Sequence, residues 1–266
     1  MKLSIRHVTR YAYEPAIERA ALRLKLFPTR CAAQTPLSWS VRVNGAAVEP
    51  LLVNGFGDRE AIWCAKSAVS EIEIVAEGEV ETADTAGVVR GVADSARPGV
   101  FLRTTPLTAA SEPIRALAQS CKAGTTLETL HALMAAVRDA MAYRTGSTDP
   151  TTTAAQALAQ RSGVCQDHAH VFIAAARALG APARYVAGYV SPDIDGAHET
   201  HAWAEAYAPE LGWVGFDPAN RQCPTEAYVR LAVGFDAVDA APVRGSIAAG
   251  ARETLSADVQ IAQEMQ

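Results

Sequence analysis

The stretch RSGVCQDHAHVFIAAARAL, residues 161–179, decides how the rest of the chain is read. Ala169, Phe172, Ile173, Ala176 and Leu179 recur at helical spacing, and Gly180 with Pro182 just beyond is a helix stop. The helix therefore opens at Cys165, behind a tight entry through Arg161-Ser-Gly-Val. A cysteine placed there has chemical consequences. The thiolate is the nucleophile, yet a free thiol titrates near pKa ~8.5 and is mostly protonated at neutral pH. Unpaired N–H groups and the dipole of a helix N-terminus favour the anion, and a neighbouring imidazole can take the proton. Gly163 would let the chain turn sharply and let a substrate backbone come close. The backbone N–H of Cys165 would be free to donate to an oxyanion.

The imidazole has to come from elsewhere in the chain. In HAWAEAY, residues 201–207, every second residue shares one strand face, so His201, Trp203, Glu205 and Tyr207 point the same way. A strand beside the cysteine helix would present His201 to the thiol. A base of this kind needs a group that orients it. Asp217 closes the next strand-like run, GWVGFDPAN at 212–220, where a hairpin would set it beside His201. Gln166 follows the nucleophile directly and is a candidate binding residue. Asp167, in the first helical turn, suits the helix dipole. Trp203 is a candidate substrate-site residue, whose place is either the core or the wall of the cleft.

Outward from this core the chain divides in three. Residues 1–82 alternate as half-buried strands do: Leu3, Ile5 and His7; Leu22, Leu24 and Leu26; Trp39, Val41 and Val43; and Val69 through Val75. Turn residues separate them at Asn44-Gly45 and Asn54 to Asp58. Residues 83–110 shift to Ala, Gly, Asp, Pro and Thr and are expected to be a linker over the surface. Residues 111–266 form the expected catalytic domain. Ser111 and Pro113 open one helix, Leu127 to Val137 mark a second over about 126–141, and a third covers 152–160. Strands are expected at 183–190, 200–207 and 212–216. The fold class is α+β: an antiparallel β domain, then a helix carrying Cys165 packed on an antiparallel sheet.

These four motifs resemble those of the bacterial transglutaminase-like family. The likeness runs over about 145–220 through RSGVCQDHAH, APARYVAGY at 181–189, HAWAE and GWVGFDPAN, in that order. The first 80 residues resemble the β-rich domain that precedes this core in many bacterial members. The resemblance implies a papain-like core and acyl transfer on amide bonds through a thioester. It implies Cys165 as nucleophile, His201 as base and Asp217 as orienter. Tyr143 resembles a cleft-lining position whose hydroxyl could donate to the oxyanion. Members are similar to proteases, amidases and transglutaminases, so the acceptor is water or an amine. A different class, a silent scaffold that binds protein partners, usually lacks part of the triad. One departure concerns the tail, where Gly234-Phe235-Asp236-Ala237 stands in place of the family's Gly-Arg-Asp-Tyr.

Bulk properties exclude other classes. The net charge is −5 and aromatics are 6% of residues, so neither a phosphate-tracking surface nor a base-stacking platform is expected. The N-terminus has no continuous apolar run of the signal-peptide kind, and no stretch is apolar enough for a membrane helix. A cytoplasmic protein acting on a protein or peptide substrate is expected. Five cysteines at wide, irregular spacing form no C-x-x-C pair. Cys165, His168 and His170 are close in sequence, as are His198 and His201. On a helix, however, His170 points away from the face shared by Cys165 and His168. No metal and no other cofactor is expected.

Overall fold

The computed structural model describes residues 1–195, 200–247 and 251–263. The long strands at the start of the chain are β1 (Lys2–Ile17), β2 (Ala20–Phe27), β3 (Gln34–Val43), β4 (Arg59–Cys64) and β5 (Val69–Thr82). Four helices follow: α1 (Glu112–Ser120), α2 (Thr126–Ala140), α3 (Ala154–Gln160) and α4 (Cys165–Ala178). The second half adds β6 (Ala183–Val190), β7 (His201–Ala208), β8 (Gly212–Phe216), β9 (Tyr228–Gly234), β10 (Val243–Ile247) and β11 (Arg252–Gln263). The class is α+β, with helices against one antiparallel sheet and two further antiparallel sheets beside it.

The central sheet runs β9-β6-β7-β8 and is antiparallel throughout. Strand β7 explains how its two faces differ. Ala202, Ala204, Ala206 and Ala208 are buried in one core with Phe172, Ile173 and Ala176 of α4. Small side chains on this face let the helix lie close to the sheet. His201, Trp203 and Glu205 occupy the other face. The helices around α4 carry their own start signals. Thr125 and Thr153 each accept from a backbone N–H three residues on, and Glu128 and Gln156 reach back to them.

The segment 83–110 runs over the surface with most of its residues exposed or half-buried, but it is anchored at a few points. Val88 and Val89 add to the outer edge of β8, and Pro98–Leu102 and Pro106–Thr108 form short 3-10 turns. Phe101 is fully buried against Phe56, Trp213 and Phe235. Arg177 on α4 ties the segment down by donating to Phe101 O at 2.9 Å and Thr108 Oγ1 at 2.7 Å. One aromatic anchor outweighs a linker-like composition, because burying such a ring stabilises by about 1.5–3 kcal/mol.

The tail of the segment expected at 111–266 also pairs with the N-terminal strands. Strand β11 pairs along nearly all of β1, from Leu3↔Gln263 to Glu14↔Arg252. Strand β10 pairs with β2. The chain thus leaves the β domain, builds the helical core and returns to complete both N-terminal sheets. Their shared core continues into the central sheet, where Tyr189, Val229 and Leu231 pack with Leu24, Leu26 and Val41. Polar bonds cross the same seam. His7 Nδ1 meets Tyr189 Oη at 3.0 Å, and Gln34 Nε2 donates to Arg230 O at 2.7 Å. Burial drives the His7 imidazole down to about 4, so it sits there neutral.

Candidate active site

Cys165 is the first residue of α4. The helix starts there because Asp167 reaches back: its Oδ2 accepts from the Val164 N–H at 2.8 Å and from the Thr148 hydroxyl at 2.7 Å. The role expected of Gly163 has to be corrected. The sharp entry is made by Arg161, whose φ is +56°, whereas Gly163 leaves room for the cap. A Cβ on Gly163 would stand 2.6 Å from Asp167 Cβ. His168 locks the same turn, with its ring nitrogens 2.9 Å from Val164 O and 3.2 Å from Met141 O. The Cys165 N–H, in the first helical turn, lies outside the helix's own bonding pattern.

The structure brings Cys165, His201 and Asp217 together. His201 opens β7, and its Nε2 lies 2.7 Å from Asp217 Oδ2. The same imidazole also interacts with the Cys165 sulfur, and both residues line one cleft. Asp217 follows β8 directly and is held by a tight turn, giving and receiving backbone bonds with Gln222 at 2.9 and 3.2 Å. Both His201 and Asp217 are almost fully buried, at 3% and 0% exposure. Burial disfavours a charged imidazole, but the bonds to Asp217 and Cys165 and their charges outweigh it and push His201 up to about 10. For Asp217, burial likewise opposes ionisation. The hydrogen bond and charge of His201 prevail and hold the carboxyl below the usual range.

Two residues that complete this arrangement were not singled out by sequence. Tyr228 on β9 donates its hydroxyl to Asp217 Oδ2 at 2.8 Å, and Asn220 Nδ2 donates to the same oxygen at 2.8 Å. The Asn220 N–H also reaches Asp217 Oδ1 at 3.3 Å. Asn220 had a local signal, since Asp and Asn at the two ends of a turn commonly bond back into it. Tyr228 had none.

A solvent-open cleft of about 510 Å³ lies over the thiol. Cys165, Gln166, His201 and Tyr185 line it together with Val238, Val243, Arg244 and Leu255. Two residues expected at the cleft are elsewhere. Trp203 is 2% exposed and lies behind His201, with ring centroids 6.3 Å apart, in a separate cluster with Phe101 and Tyr228. It fits there because Gly188 has no side chain; a Cβ on Gly188 would meet the Trp203 ring at 2.6 Å. Tyr143 is exposed and stacks at 6.1 Å on His168 rather than lining this cleft. Gln166 does line it, while donating to Pro150 O at 3.3 Å.

His170, on the far side of α4, accepts from the Ala237 N–H at 3.1 Å and is pushed by burial down to about 4. It thereby anchors the tail turn in which Gly234-Phe235-Asp236-Ala237 replaces the family pattern. His198, weighed above as a metal ligand, lies outside the described residues.

Comparison with known proteins gives the arrangement a context. Residues 115–218 match the family model described as the transglutaminase-like superfamily. Residues 3–81 match the bacterial transglutaminase-like N-terminal region. An uncharacterised protein of Mycobacterium tuberculosis is 37% identical over 132 residues, which is 46% of this chain and 42% of that protein. The match therefore spans under half the length of that relative. A protein-glutamine gamma-glutamyltransferase of Pseudomonas aeruginosa is 38% identical over 72 residues, covering 24% of this chain and 11% of that one. Among solved structures, a candidate cysteine protease from Cytophaga hutchinsonii superposes with a TM-score of 0.78 at 26% identity. It covers 100% of this chain and 92% of its own.

Proposed function

This chain belongs to the transglutaminase-like superfamily, with the bacterial N-terminal region ahead of its core, and from that premise we propose that it transfers acyl groups from amides through a thioester on Cys165. The observation that carries the reading is a single imidazole, His201, bonded to a carboxylate and interacting with a thiol at a helix start.

In the proposed reaction the Cys165 sulfur attacks the amide carbon while His201 holds the thiol proton. The carbonyl oxygen becomes an oxyanion facing the Cys165 N–H. As the C–N bond breaks, His201 passes its proton to the leaving amine. Asp217 keeps the imidazole oriented and stabilises its charge, with Tyr228 and Asn220 steadying the carboxylate in turn. The acceptor then attacks the thioester while His201 takes its proton, and the C–S bond breaks to release the product and return the Cys165 sulfur to the imidazolium. Water gives hydrolysis, and an amine gives a new amide. The open cleft leaves water free to compete, which favours hydrolysis of amides or peptides. An intact Cys, His and Asp set argues against a silent scaffold.

The test is intact-mass analysis of the protein after exposure to a peptide library, with and without a primary amine. A mass increment on Cys165 that water discharges supports hydrolysis, and amine-capped products support transfer. A library that leaves Cys165 unmodified, with no peptide cleaved or capped, would overturn the reading.

A further inference from the structure

Part of the cleft wall comes from the tail, and it carries an unusual charge arrangement. Arg244 on β10 is the register partner of Arg23 on β2, and Arg23 is in turn partnered by Ile62 on β4. Partners across an antiparallel pair share a face and sit closest together, so like charges there repel. Arg244 lines the cleft over Cys165 and also an adjoining shallow groove, which Arg23 and Ile62 line as well.

The other N-terminal sheet treats its basic residues differently. On β1, Arg6 and Arg10 face Glu77 and Glu73 across the strand pair and form ion pairs with them. Arg42 and Lys2 are likewise matched to Glu77 and Glu79. Among the described residues, neither Arg23 nor Arg244 has a carboxylate partner. Arg23 donates only to the Asp239 carbonyl, at 3.0 Å, and its buried Nε has no partner. Two carboxylates of the neighbouring stretch of chain are already engaged, since Lys25 and Asn54 hold both Asp58 and Glu60, and the Asp239 carboxylate accepts from the Phe235 N–H. Protection of a sheet edge accounts for a charge at Arg244, because β10 is the outermost strand. It does not account for Arg23, which lies on an inner strand. Among the described residues, Arg244 is the one permanently charged side chain lining the cleft.

We propose that Arg244 and Arg23 form a carboxylate-binding subsite of the cleft, so that the acyl donor is an acidic peptide with its carboxylate a few residues from the reacting amide. The inference rests on Cys165 being the nucleophile. A carboxylate between two guanidinium groups would remove their repulsion and gain charge-assisted hydrogen bonds. Val238, Val243 and Leu255 supply apolar contact for the neighbouring residues of the peptide.

Two measurements on the full chain test this. The first is the rate of Cys165 alkylation by anionic iodoacetate relative to neutral iodoacetamide, read by peptide mass spectrometry. In the double variant Arg23→Gln/Arg244→Gln the ratio should fall about three- to ten-fold at low ionic strength, and less in physiological salt. Replacing both residues by Lys should preserve it. The double glutamine variant should keep Tm within a few degrees of wild type, because the repulsion it removes offsets the lost Arg23 bond to the Asp239 carbonyl. An unchanged ratio, with Cys165 still alkylated, would overturn the subsite and leave the nucleophile standing. Failure of Cys165 to react ahead of the other four thiols would overturn the nucleophile reading and this one with it.

The second measurement is protection of Cys165 from iodoacetamide by three hexapeptide pools. One carries Gln with an amidated C-terminus, one Glu with an amidated C-terminus, and one Gln with a free C-terminus. Stronger protection by the Glu pool assigns the subsite to an acidic side chain, and stronger protection by the free-acid pool assigns it to the peptide terminus. Equal protection by all three refutes the proposal.

Discussion

His201 and Glu205 lie four residues apart on one face of β7, with the Trp203 ring between them. Both are buried and both face opposite charge. Glu205 is gripped from two sides, by Arg184 Nε at 2.7 Å and Arg230 Nε at 2.8 Å. Arg184 continues to Asp94 at 2.9 Å, and its guanidinium lies 4.0 Å over the Trp213 ring. Burial opposes the Glu205 charge, but Arg230 and Arg184 hold the carboxyl below its usual range. Every charge at this end is met by an opposite charge, and the cluster joins β6, β7 and β9. At the other end, Asp217 faces a group that can gain or lose a proton, and that group faces a sulfur at an open cleft. The chemistry comes from leaving one partner titratable and one side accessible.

Substitutions should separate the two ends. The largest effect is expected at the cleft. Cys165→Ser should lower turnover at least about 10³-fold, and Asp217→Asn by about 10³–10⁴-fold. Thermal melting of both variants should show folded proteins. Wild-type rates in either would erase the contrast. Glu205→Gln should do the reverse, leaving two buried arginines poorly matched at a cost of about 3–5 kcal/mol. Denaturant unfolding measures that loss, while turnover of the folded fraction should change little. Tyr228→Phe probes the boundary, since it removes one of the bonds to Asp217 without touching the thiol. About a ten-fold fall in kcat is expected with a modest loss of stability.

Acid and alkali should also act on different ends. The folded His201 pKa, about 10, lies above the unfolded value near 6.5. Its contribution to stability is therefore complete below about pH 6.5 and is lost as pH rises through about 10. The Glu205 carboxyl is shifted downward. Its contribution is present above the unfolded value and is lost as pH falls through the folded one. Melting curves of wild type, His201→Gln and Glu205→Gln across pH would resolve this. The histidine variant should flatten the alkaline limb and the glutamine variant the acid limb. Equal changes on both limbs would mean the two ends act as one network.

Much of the candidate site was legible because its parts are local. A helix that begins at Cys165 announces itself by apolar spacing and by Asp167 three residues past the cap position. Alternation in HAWAEAY shows which residues share the His201 face. The same pattern could not tell which members of that face meet solvent. Alternation leaves Trp203 open to either core or cleft wall, and the structure packs it behind the histidine, where Gly188 across the strand pair leaves it space. Tyr143 stacks on His168 because α4 and the Ala142–Tyr143 strand are joined through Gly163, a contact that has no sequence pattern.

By itself the sequence determined the α+β class, the start of the cysteine helix, the strand carrying His201 and the turn carrying Asp217. Each follows from caps, periodicity or turn residues within a few positions of one another. Only the tertiary structure decided that β11 returns to β1, that β10 returns to β2, and that Arg244 therefore faces both Arg23 and the cleft. Strand pairing between distant segments is selected by the burial that the whole fold offers, and no short stretch of chain carries that information.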